Sequence, residues 1–345
     1  MFADGPNVGI LAAAGSRKTQ QIIDTALELD GRVLITTYTN ENLNQIRRRI
    51  EEVCGTVPPN IDLMGWFSFL IAHGAKPYQS AVTGRVNALS GLNFDGDHLP
   101  FTKKDTGEQY FVDGEGNLYR KYLADFVVTA DVATQGAVAR RLSGIYSAVF
   151  VDELQDLAGW DLEVLDMLLG ADTNVLLVGD PRQHTYATYP ANKNKKYRGM
   201  GMVTWLDERD DVCHRLDRTE SFRCHQSICD YADSLYPDMP QTTSVGIDDT
   251  GHDGVVTVPE SEVHSYFEEH RPVVLRPRRD RDTLGLPAIN IGVSKGSTFD
   301  RVLIFPTNPM KEFVETGDLT KLKPAARSSL YVAVTRARHS VAVVM

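Results

Sequence analysis

The sequence has few cysteines, no long apolar run and no excess of positive charge, and each shortage excludes a class of protein. Four cysteines in 345 residues are too few for a disulfide scaffold and are typical of a reducing compartment, so we expect a cytoplasmic protein. No apolar run approaches the ~18 residues of a membrane-spanning helix. The start, MFADGPNVGILAAAGS, lacks the basic residues and long apolar core of a secretory signal.

The net charge is −10, from 36 basic and 46 acidic residues, which argues against a protein that coats nucleic acid through bulk charge. A local groove for a single strand remains compatible with this charge. Three basic clusters occur, at residues 47–49 (RRR), 193–198 (KNKKYR) and 276–281 (RPRRDR). Solvated surface is the simpler interpretation of each cluster taken alone.

Short apolar runs alternate with helical patterns along the chain. Six runs predict buried strands: RVLITT (32–37), AVFVDE (148–153), NVLLVGD (174–180), PVVLRP (272–277), RVLIFP (301–306) and the C-terminal SVAVVM. Continuous apolar runs are typical of parallel strands covered on both faces. Stretches such as ENLNQIRRRIEEV and WDLEVLDMLLG have helical spacing. The sequence therefore predicts an α/β fold with parallel sheets.

Two regions interrupt this alternation. Residues 73–140 include YFVDGEGNLYR, which predicts two short strands around a Gly-rich turn and hence an inserted hairpin. Residues 237–254 are rich in Asp, Thr and Gly and predict a loop. We therefore predict a first lobe of residues 1–72 and 141–206, a small inserted subdomain of residues 73–140, and a second lobe of residues 207–345.

The stretch AAAGSRKTQ, residues 12–20, lies where a phosphate-binding loop would, between an apolar strand and a helical pattern. Lys18 would supply the cation and Thr19 the hydroxyl for Mg²⁺. The usual pattern has glycine where this chain has Ala12 and Arg17, and a left-handed Arg17 would cost about 1–2 kcal/mol. A plain small-residue turn is the alternative. The predicted nucleotide contacts are Ala14, Gly15, Ser16, Arg17, Lys18, Thr19 and Gln20.

Two acids, Asp152 and Glu153, directly follow the apolar strand AVFV. Phosphoryl transfer to water needs one carboxylate near Mg²⁺ and a second group that orients the attacking water. Adjacent residues at a strand end point to opposite sides, so Asp152 can face the metal and Glu153 the water. Acids after a strand also occur for purely structural reasons. Together with Lys18 and Thr19 they favour ATP hydrolysis, with Thr19 and Asp152 as the magnesium ligands.

From residue 11 to its end the chain resembles superfamily 1 DNA helicases of the UvrD/Rep group, and eight segments are similar to the family's motifs in the family's order. TTYTNENLNQIRRRI, GWFSFLI, VDELQD and LVGDPRQHTY are similar to the family's TFTN, TFHSF, VDE-x-QD and VGDPxQxIY. RTESFRCHQSICDYADSLY and VVLRPRRD resemble the NYRS and VLYRxNAQ segments. VSKGSTFDRVLIF and SSLYVAVTRAR are similar to SAKGLEFDxVxI and LLYVAxTRAK.

The resemblance implies two RecA-like P-loop NTPase lobes with a small insert in the first lobe. It also implies an ATP- and Mg²⁺-dependent translocase or helicase that acts on single-stranded or tailed duplex DNA. The implied catalytic residues are Lys18, Asp152, Glu153, Gln183, Arg223 and Arg336, the last three at the γ-phosphate. The implied nucleic-acid contacts are Tyr38, Thr39, Asn40, Trp66, Phe67, Ser68, Tyr186, Tyr189, Arg276, Ser294 and Lys295. A core side chain is the alternative for each aromatic residue.

The chain departs from the family in several places. No large domain fits between Arg223 and Lys295, so we expect a minimal form. Thr298 replaces a glutamate expected to contact ribose, and the glutamine that reads adenine upstream of the phosphate loop is not found. The last departure and Arg17 suggest an alternative function, a nucleotide-gated nucleic-acid-binding protein with degenerate ATPase activity.

Substrate, polarity and metal content have competing interpretations. RNA is an alternative to DNA because backbone and stacking contacts discriminate poorly between them. The UvrD/Rep resemblance favours 3′ to 5′ movement, although SKGSTFD also resembles relatives that move the other way. A cysteine- and histidine-rich stretch, residues 213–229, has irregular spacing for a zinc or iron–sulfur site and overlaps the segment that carries Arg223. We therefore expect no metal there.

Overall fold

The computed structural model describes residues 7–185 and 192–345. Its strands, in chain order, are β1 Asn7–Ala12, β2 Val33–Thr37, β3 Ile61–Gly65, β4 Gly91–Asn93, β5 Asn117–Tyr119, β6 Ala148–Val151, β7 Asn174–Gly179, β8 His214–Arg218, β9 Glu220–Ser221, β10 Thr243–Ser244, β11 Gly254–Val258, β12 Val273–Arg276, β13 Ala288–Asn290, β14 Phe299–Ile304 and β15 Ala337–Val344.

The α-helices are α1 Lys18–Glu28, α2 Asn40–Cys54, α3 Trp66–Phe69, α4 Gln79–Thr83, α5 Glu108–Phe111, α6 Leu123–Ala133, α7 Ala137–Ile145, α8 Trp160–Leu169, α9 Gly201–Asp207, α10 Gln226–Ser234, α11 Val263–His270, α12 Asn308–Thr316 and α13 Pro324–Val334. A π-helical turn, Leu70–Ala75, continues α3, and several 3₁₀ turns join the other elements.

Two larger sheets organise the chain. The first has the strand order β3-β2-β6-β7-β1-β8, and the second has the order β11-β15-β14-β12-β13. The pairs β2–β3, β2–β6 and β6–β7 are parallel, as are β11–β15, β14–β15, β12–β14 and β12–β13. All six strands predicted from apolar runs are present. The predicted α/β class with parallel sheets is confirmed.

The central strands of both sheets are buried along most of their length. Every residue of β1, β2 and β6 is buried, and so are Val302 to Ile304 of β14. This burial explains why the sequence shows continuous apolar runs, because helices cover both faces of such strands. Polar residues follow directly where β2, β6 and β7 end, at residues 38, 152 and 180.

The described residues form two compact units. The first unit contains residues 7–10, 19–179 and 192–216, and the second contains residues 11–18, 180–185 and 217–345. The phosphate-loop stretch and the segment after β7 therefore pack with the C-terminal part of the chain. The lobe boundaries predicted from the sequence follow chain order and remain a proposal.

The hairpin predicted in YFVDGEGNLYR is wrong in its first half. Residues Glu108–Phe111 form helix α5, and only an isolated antiparallel bridge joins Val112 to Leu118. The Gly-rich turn is present because one oxygen of Asp113 accepts hydrogen bonds from the backbone N–H groups of Glu115 (2.9 Å) and Asn117 (2.8 Å). Strand β5 then pairs in parallel with β4.

The four cysteines form no disulfide, and Cys54 is exposed whereas the other three are buried. Within the described ranges, every helix is too short or too polar to cross a membrane.

Candidate nucleotide and nucleic-acid sites

The turn after β1 has the backbone of a phosphate loop in spite of its two substitutions. Gly15 and Arg17 both have positive φ, 81° and 59°. A Cβ at Gly15 would lie 2.6 Å from both the Cβ of Arg223 and the Oγ of Ser221, so only glycine fits. Arg17 is left-handed as the sequence analysis supposed. Its guanidinium lies 4.1 Å from the centre of the Phe222 ring, and this cation–π contact offsets part of the strain.

The loop is attached to the segment of residues 218–222 by three hydrogen bonds within the second unit. Ala13 N donates to Arg218 O (2.8 Å), and Phe222 N donates to Gly15 O (3.0 Å). Ser221 Oγ donates to Ala14 O (2.8 Å). The loop backbone is therefore held in place before any ligand binds.

The loop residues fit a polyphosphate. Helix α1 begins at Lys18 and has no acidic residue in its first turn, so its N-terminus presents backbone N–H groups and a cation to an anion. Lys18 Nζ donates a long hydrogen bond to Ala12 O at 3.5 Å. Ser16 Oγ is buried and has no hydrogen-bond partner among the described residues. An uncompensated buried hydroxyl beside this lysine is what a bound phosphate oxygen would satisfy.

The predicted magnesium ligands lie together in the first unit. Thr19 Oγ1 is 3.4 Å from Asp152 Oδ2. Adjacent ligands at about 2.1 Å from an octahedral Mg²⁺ lie about 3 Å apart. The two oxygens would therefore need to approach each other only slightly to bind one ion. Glu153 is left-handed, with φ 57°, and its N–H donates to Asp152 Oδ1 at 2.9 Å. Gln155 Nε2 donates a short hydrogen bond to Glu153 Oε2, which orients that carboxylate.

Asp180 is the centre of a buried polar network in the second unit. Its carboxylate accepts hydrogen bonds from Arg182 Nε (2.8 Å), Gln183 Nε2 (2.9 Å) and the Tyr331 hydroxyl (3.1 Å). The Tyr331 oxygen also accepts from Ala14 N in the phosphate loop, at 3.4 Å. Burial acts to raise the pKa of Asp180, but Arg182 and Lys18 outweigh it, and the pKa lies below its usual value. Asp180 is therefore an anion beside the loop lysine.

Both predicted arginines lie near this network. Arg336 is 1% exposed, and its Nη2 lies 3.4 Å from Gln183 Oε1 while Nη1 donates to Ser297 O at 3.3 Å. Arg223 Nη1 donates to Thr335 O at 3.1 Å. The structure thus brings Gln183 and Arg336 into contact and ties Arg223 to the residue before Arg336.

A pocket in the first unit combines aromatic and basic side chains. The rings of Tyr38 and Phe67 are 5.3 Å apart at 67°, and Arg120 lies 5.8 Å from the Phe67 ring. Lys104 and Lys193 lie 4.3 Å and 4.8 Å from the Trp160 ring. The pocket is lined by Tyr38, Phe67, Arg120, Lys121, Ala124, Ala158, Trp160 and Asp161. Bases stack on such rings and phosphates pair with such cations.

The other predicted nucleic-acid contacts of the first unit divide into exposed and structural residues. Asn40 and Ser68 are exposed. Thr39 is the N-cap of α2, since its Oγ1 accepts from Asn42 N at 3.2 Å. Trp66 is fully buried and donates from Nε1 to Asp161 Oδ1 at 2.8 Å, so its ring belongs to the core and we do not include it in a binding surface.

In the second unit, Arg276 ends β12, where its Nε donates to Asn290 Oδ1 at 3.1 Å. Ser294 is buried and donates from Oγ to Ile291 O at 2.8 Å, a structural contact. Lys295 is partly buried. Tyr186 and Tyr189 lie outside the described residues.

Sequence reasoning missed Arg120, Lys121 and Trp160 in the pocket, and Tyr331 in the Asp180 network. Trp160 opens a helix that the sequence did predict, and Tyr331 lies within a quoted motif. The sequence around Tyr331 does not indicate its contact with Asp180, because the two residues are 151 positions apart.

Three features are typical of P-loop NTPases: a loop with two residues of positive φ, a lysine at a helix start, and a threonine–aspartate pair beside parallel strands. Comparison with known proteins narrows this class. Residues 119–194 match the UvrD/REP helicase N-terminal domain. An alignment over 180 residues with the RecBCD enzyme subunit RecB of Haemophilus influenzae is 23% identical and covers 49% of this chain and 14% of that protein.

One solved structure aligns closely enough to support the fold. The structure of Arterivirus nonstructural protein 10 (helicase) aligns with a TM-score of 0.50 and 17% identity over 98% of this chain and 59% of that one. The same viral protein in complex with DNA aligns with a TM-score of 0.49 and 17% identity, over 98% of this chain and 61% of that one. The chain therefore spans less than two thirds of these relatives. The predicted resemblance to UvrD-like superfamily 1 helicases is confirmed by the family match and by the similarity to RecB.

The stretch of cysteines and histidines at residues 213–229 is not assembled as one metal centre. A hydrogen bond from the Cys229 thiol, supported by Arg223, lowers the pKa of the Cys224 thiol. Cys229 Sγ also lies 3.7 Å from Cys224 O. The cysteines thus interact with each other and with backbone, whereas His225 faces different residues.

The buried Asp161 predicts a pH-dependent stability. Burial raises its pKa to about 6, although the Trp66 hydrogen bond opposes this. Because the unfolded chain releases this proton near the ordinary value of 3.8, the native state binds more protons between about pH 4 and pH 6. The free energy of unfolding therefore falls as pH rises through this window. Between about pH 4 and pH 6, the free energy of unfolding of wild type should decrease by roughly 1–3 kcal/mol relative to that of Asp161→Asn. Urea denaturation at the two pH values measures this difference.

The exposed Asp210→Asn provides the matched control, and its difference from wild type should be the same at both ends of the window. A difference for Asp161→Asn that is also constant with pH would contradict the assigned burial effect.

Proposed function

We propose that this chain is an ATP-dependent translocase on single-stranded DNA and a DNA helicase. The observation that carries the proposal is the contact chain of the second unit. There Arg336 touches Gln183, Gln183 donates to Asp180, and the loop lysine Lys18 stabilises the charge on Asp180. A phosphate loop in contact with a second arginine-bearing segment is the arrangement that a nucleotide-driven motor needs.

Each residue has a role in this proposal. The backbone of residues 14–20 and Lys18 would bind the phosphates, and Thr19 and Asp152 would hold Mg²⁺. When bound, ATP supplies the phosphoanhydride bond whose hydrolysis drives movement. Glu153, oriented by Gln155, would accept a proton from the attacking water. Gln183, Arg223 and Arg336 would stabilise charge on the terminal phosphate.

The pocket of the first unit would hold the nucleic acid. Tyr38 and Phe67 offer ring faces and edges to bases, while Arg120 and Lys121 offer charge to the backbone. Stacking on rings tolerates any base, as a translocating enzyme requires. This local concentration of cations also explains how a chain of net charge −10 could bind a polyanion.

The catalytic assignment predicts that Lys18→Ala and Glu153→Gln each lower the kcat of DNA-stimulated ATP hydrolysis by more than about 100-fold. The lysine variant loses the cation at the phosphates, and the glutamate variant loses the proton acceptor. Phosphate release in the presence of single-stranded DNA measures both effects.

Lys323→Ala and Glu51→Gln alter exposed residues and should leave the rate unchanged. Full activity in both catalytic variants would end the proposal. Tight binding of ATP and DNA by wild type without phosphate release would favour the alternative function, a nucleotide-gated binding protein.

The pocket assignment predicts that Phe67→Ala weakens binding of single-stranded DNA by roughly 1–3 kcal/mol, about 5- to 150-fold in Kd. The loss comes from one stacking surface, so Phe67→Trp should retain most of the affinity. Arg120→Ala should weaken binding and reduce its dependence on salt concentration, because one phosphate contact is lost. Fluorescence anisotropy with a labelled oligonucleotide gives both quantities.

Arg48→Ala on the exposed face of α2 is the matched charge control and should bind as wild type does. Equal losses in Arg48→Ala and Arg120→Ala would show that general charge, and not the pocket, accounts for binding. A parallel titration with single-stranded RNA tests the alternative substrate.

The direction of travel that we propose is 3′ to 5′, on the basis of the motif resemblance. Duplex DNA with a 3′ single-stranded tail should then be separated in an ATP-dependent reaction, whereas the same duplex with a 5′ tail should not. Separation of the 5′-tailed duplex alone would reverse the assignment while leaving the ATPase proposal intact.

A further inference from the structure

A group of potential metal ligands lies in the second unit, apart from the phosphate loop. His225, Asp249 and Asp253 each direct one ligand atom into a common space, and these atoms lie within 4.8 Å of one another. His225 Nε2 is 2.6 Å from Asp249 Oδ1. His225 precedes α10, and the two aspartates belong to the loop before β11.

A second histidine adjoins this group from β15. His339 Nδ1 lies 3.4 Å from Asp253 Oδ1. This nitrogen is buried, and it makes no hydrogen bond with any described residue. A buried imidazole nitrogen facing a carboxylate without a good hydrogen bond is an independent sign that something else completes the site.

Surrounding contacts hold two of the side chains in place. Asp253 accepts hydrogen bonds from the N–H groups of Thr250 (2.7 Å) and Gly251 (3.0 Å), which fix its carboxylate. The second ring nitrogen of His225, Nδ1, is 2.7 Å from Ser227 Oγ. That nitrogen also accepts from the backbone N–H of Ser227 at 3.3 Å, which places the ring proton on Nε2 toward Asp249. A metal ion bound at Nε2 would displace this proton.

We propose that His225, Asp249, Asp253 and His339 form a binding site for a divalent transition-metal ion of the Zn²⁺ class. Two imidazoles and two carboxylates suit Zn²⁺, which takes four nitrogen and oxygen ligands in a tetrahedron. Mg²⁺ and Ca²⁺ prefer oxygen-only sites, so the histidines argue against them.

The observed spacing is compatible with such an ion. Ligands bonded at about 2.1 Å in a tetrahedron are separated by about 3.4 Å. The separation between His339 Nδ1 and Asp253 Oδ1 already has this value. The distance of 2.6 Å between His225 Nε2 and Asp249 Oδ1 would have to increase on metal binding. The widest separation among the ligand atoms of His225, Asp249 and Asp253, which is at most 4.8 Å, would have to decrease. The side chain of Asp249 is 87% exposed, so it is free to make this adjustment.

The position of the site suggests its role. His225 follows Arg223 by two residues, and His339 follows Arg336 by three. The backbone also joins these segments, since His225 N donates to Arg338 O at 2.7 Å. An ion bound to both histidines would brace the two arginine-bearing segments against each other, and the site would act as a structural metal centre.

The test uses the full chain carrying Cys54→Ser, which removes the exposed thiol, after treatment with a chelator and with Mg²⁺ in excess. Equilibrium dialysis against Zn²⁺ should give one bound ion per chain. Asp249→Asn and His339→Gln should each weaken binding by more than about tenfold. Zn²⁺ should raise the Tm of the parent protein but not that of either variant.

Two controls alter nearby residues of the same types. Asp248→Asn and His264→Gln change exposed side chains and should bind Zn²⁺ as the parent does. Because Asp249 is almost fully exposed, its variant should fold normally, and circular dichroism checks this. The absorption spectrum of bound Co²⁺ should show tetrahedral nitrogen and oxygen ligation without a sulfur charge-transfer band.

Failure to bind one equivalent of Zn²⁺ would overturn the proposal. Undiminished binding by a folded Asp249→Asn variant, or a sulfur band in the Co²⁺ spectrum, would do so as well. None of these measurements uses ATP or DNA, so the outcome is independent of the helicase proposal.

Discussion

The fully buried carboxylate of Asp180 is the interaction on which the candidate nucleotide site depends. An ion with no solvent exposure is stable in a protein only if charges and hydrogen bonds compensate for lost hydration. Arg182, Gln183 and Tyr331 provide that compensation, and Tyr331 extends it to the backbone of the phosphate loop. One anion thereby sets the positions of groups drawn from three distant stretches of sequence.

Much of the fold follows from local patterns in the sequence. Continuous apolar runs identified the central strands of both sheets, because such strands are covered on both faces and tolerate no polar alternation. The left-handed backbone at Arg17 could also be anticipated. The prediction of a strand in the first half of the hairpin was wrong. YFV has strong strand propensity, yet Tyr110 and Phe111 lie in a short helix before the Asp113 turn.

The remaining features depend on contacts between residues far apart in the chain. No periodicity could place Tyr331 on Asp180, or Arg120 beside Phe67, since such partners are chosen by the packing of whole elements. The packing of whole elements also determines which residues His225 contacts. His225 was noticed beside cysteines in the sequence, but the fold turns it toward two aspartates of a later loop. Burial also gave Trp66 a core position that its motif alone did not reveal.

The close packing at Gly15 has a mechanical consequence. A methyl group there would overlap the first side-chain carbon of Arg223, which means that loop and arginine already touch at the limit of van der Waals contact. The loop backbone thus has no room for a side chain on the side that faces Arg223. A side chain at Gly15 would therefore push Arg223 and the loop apart, and tight packing at this single glycine keeps the loop and the arginine at a fixed distance.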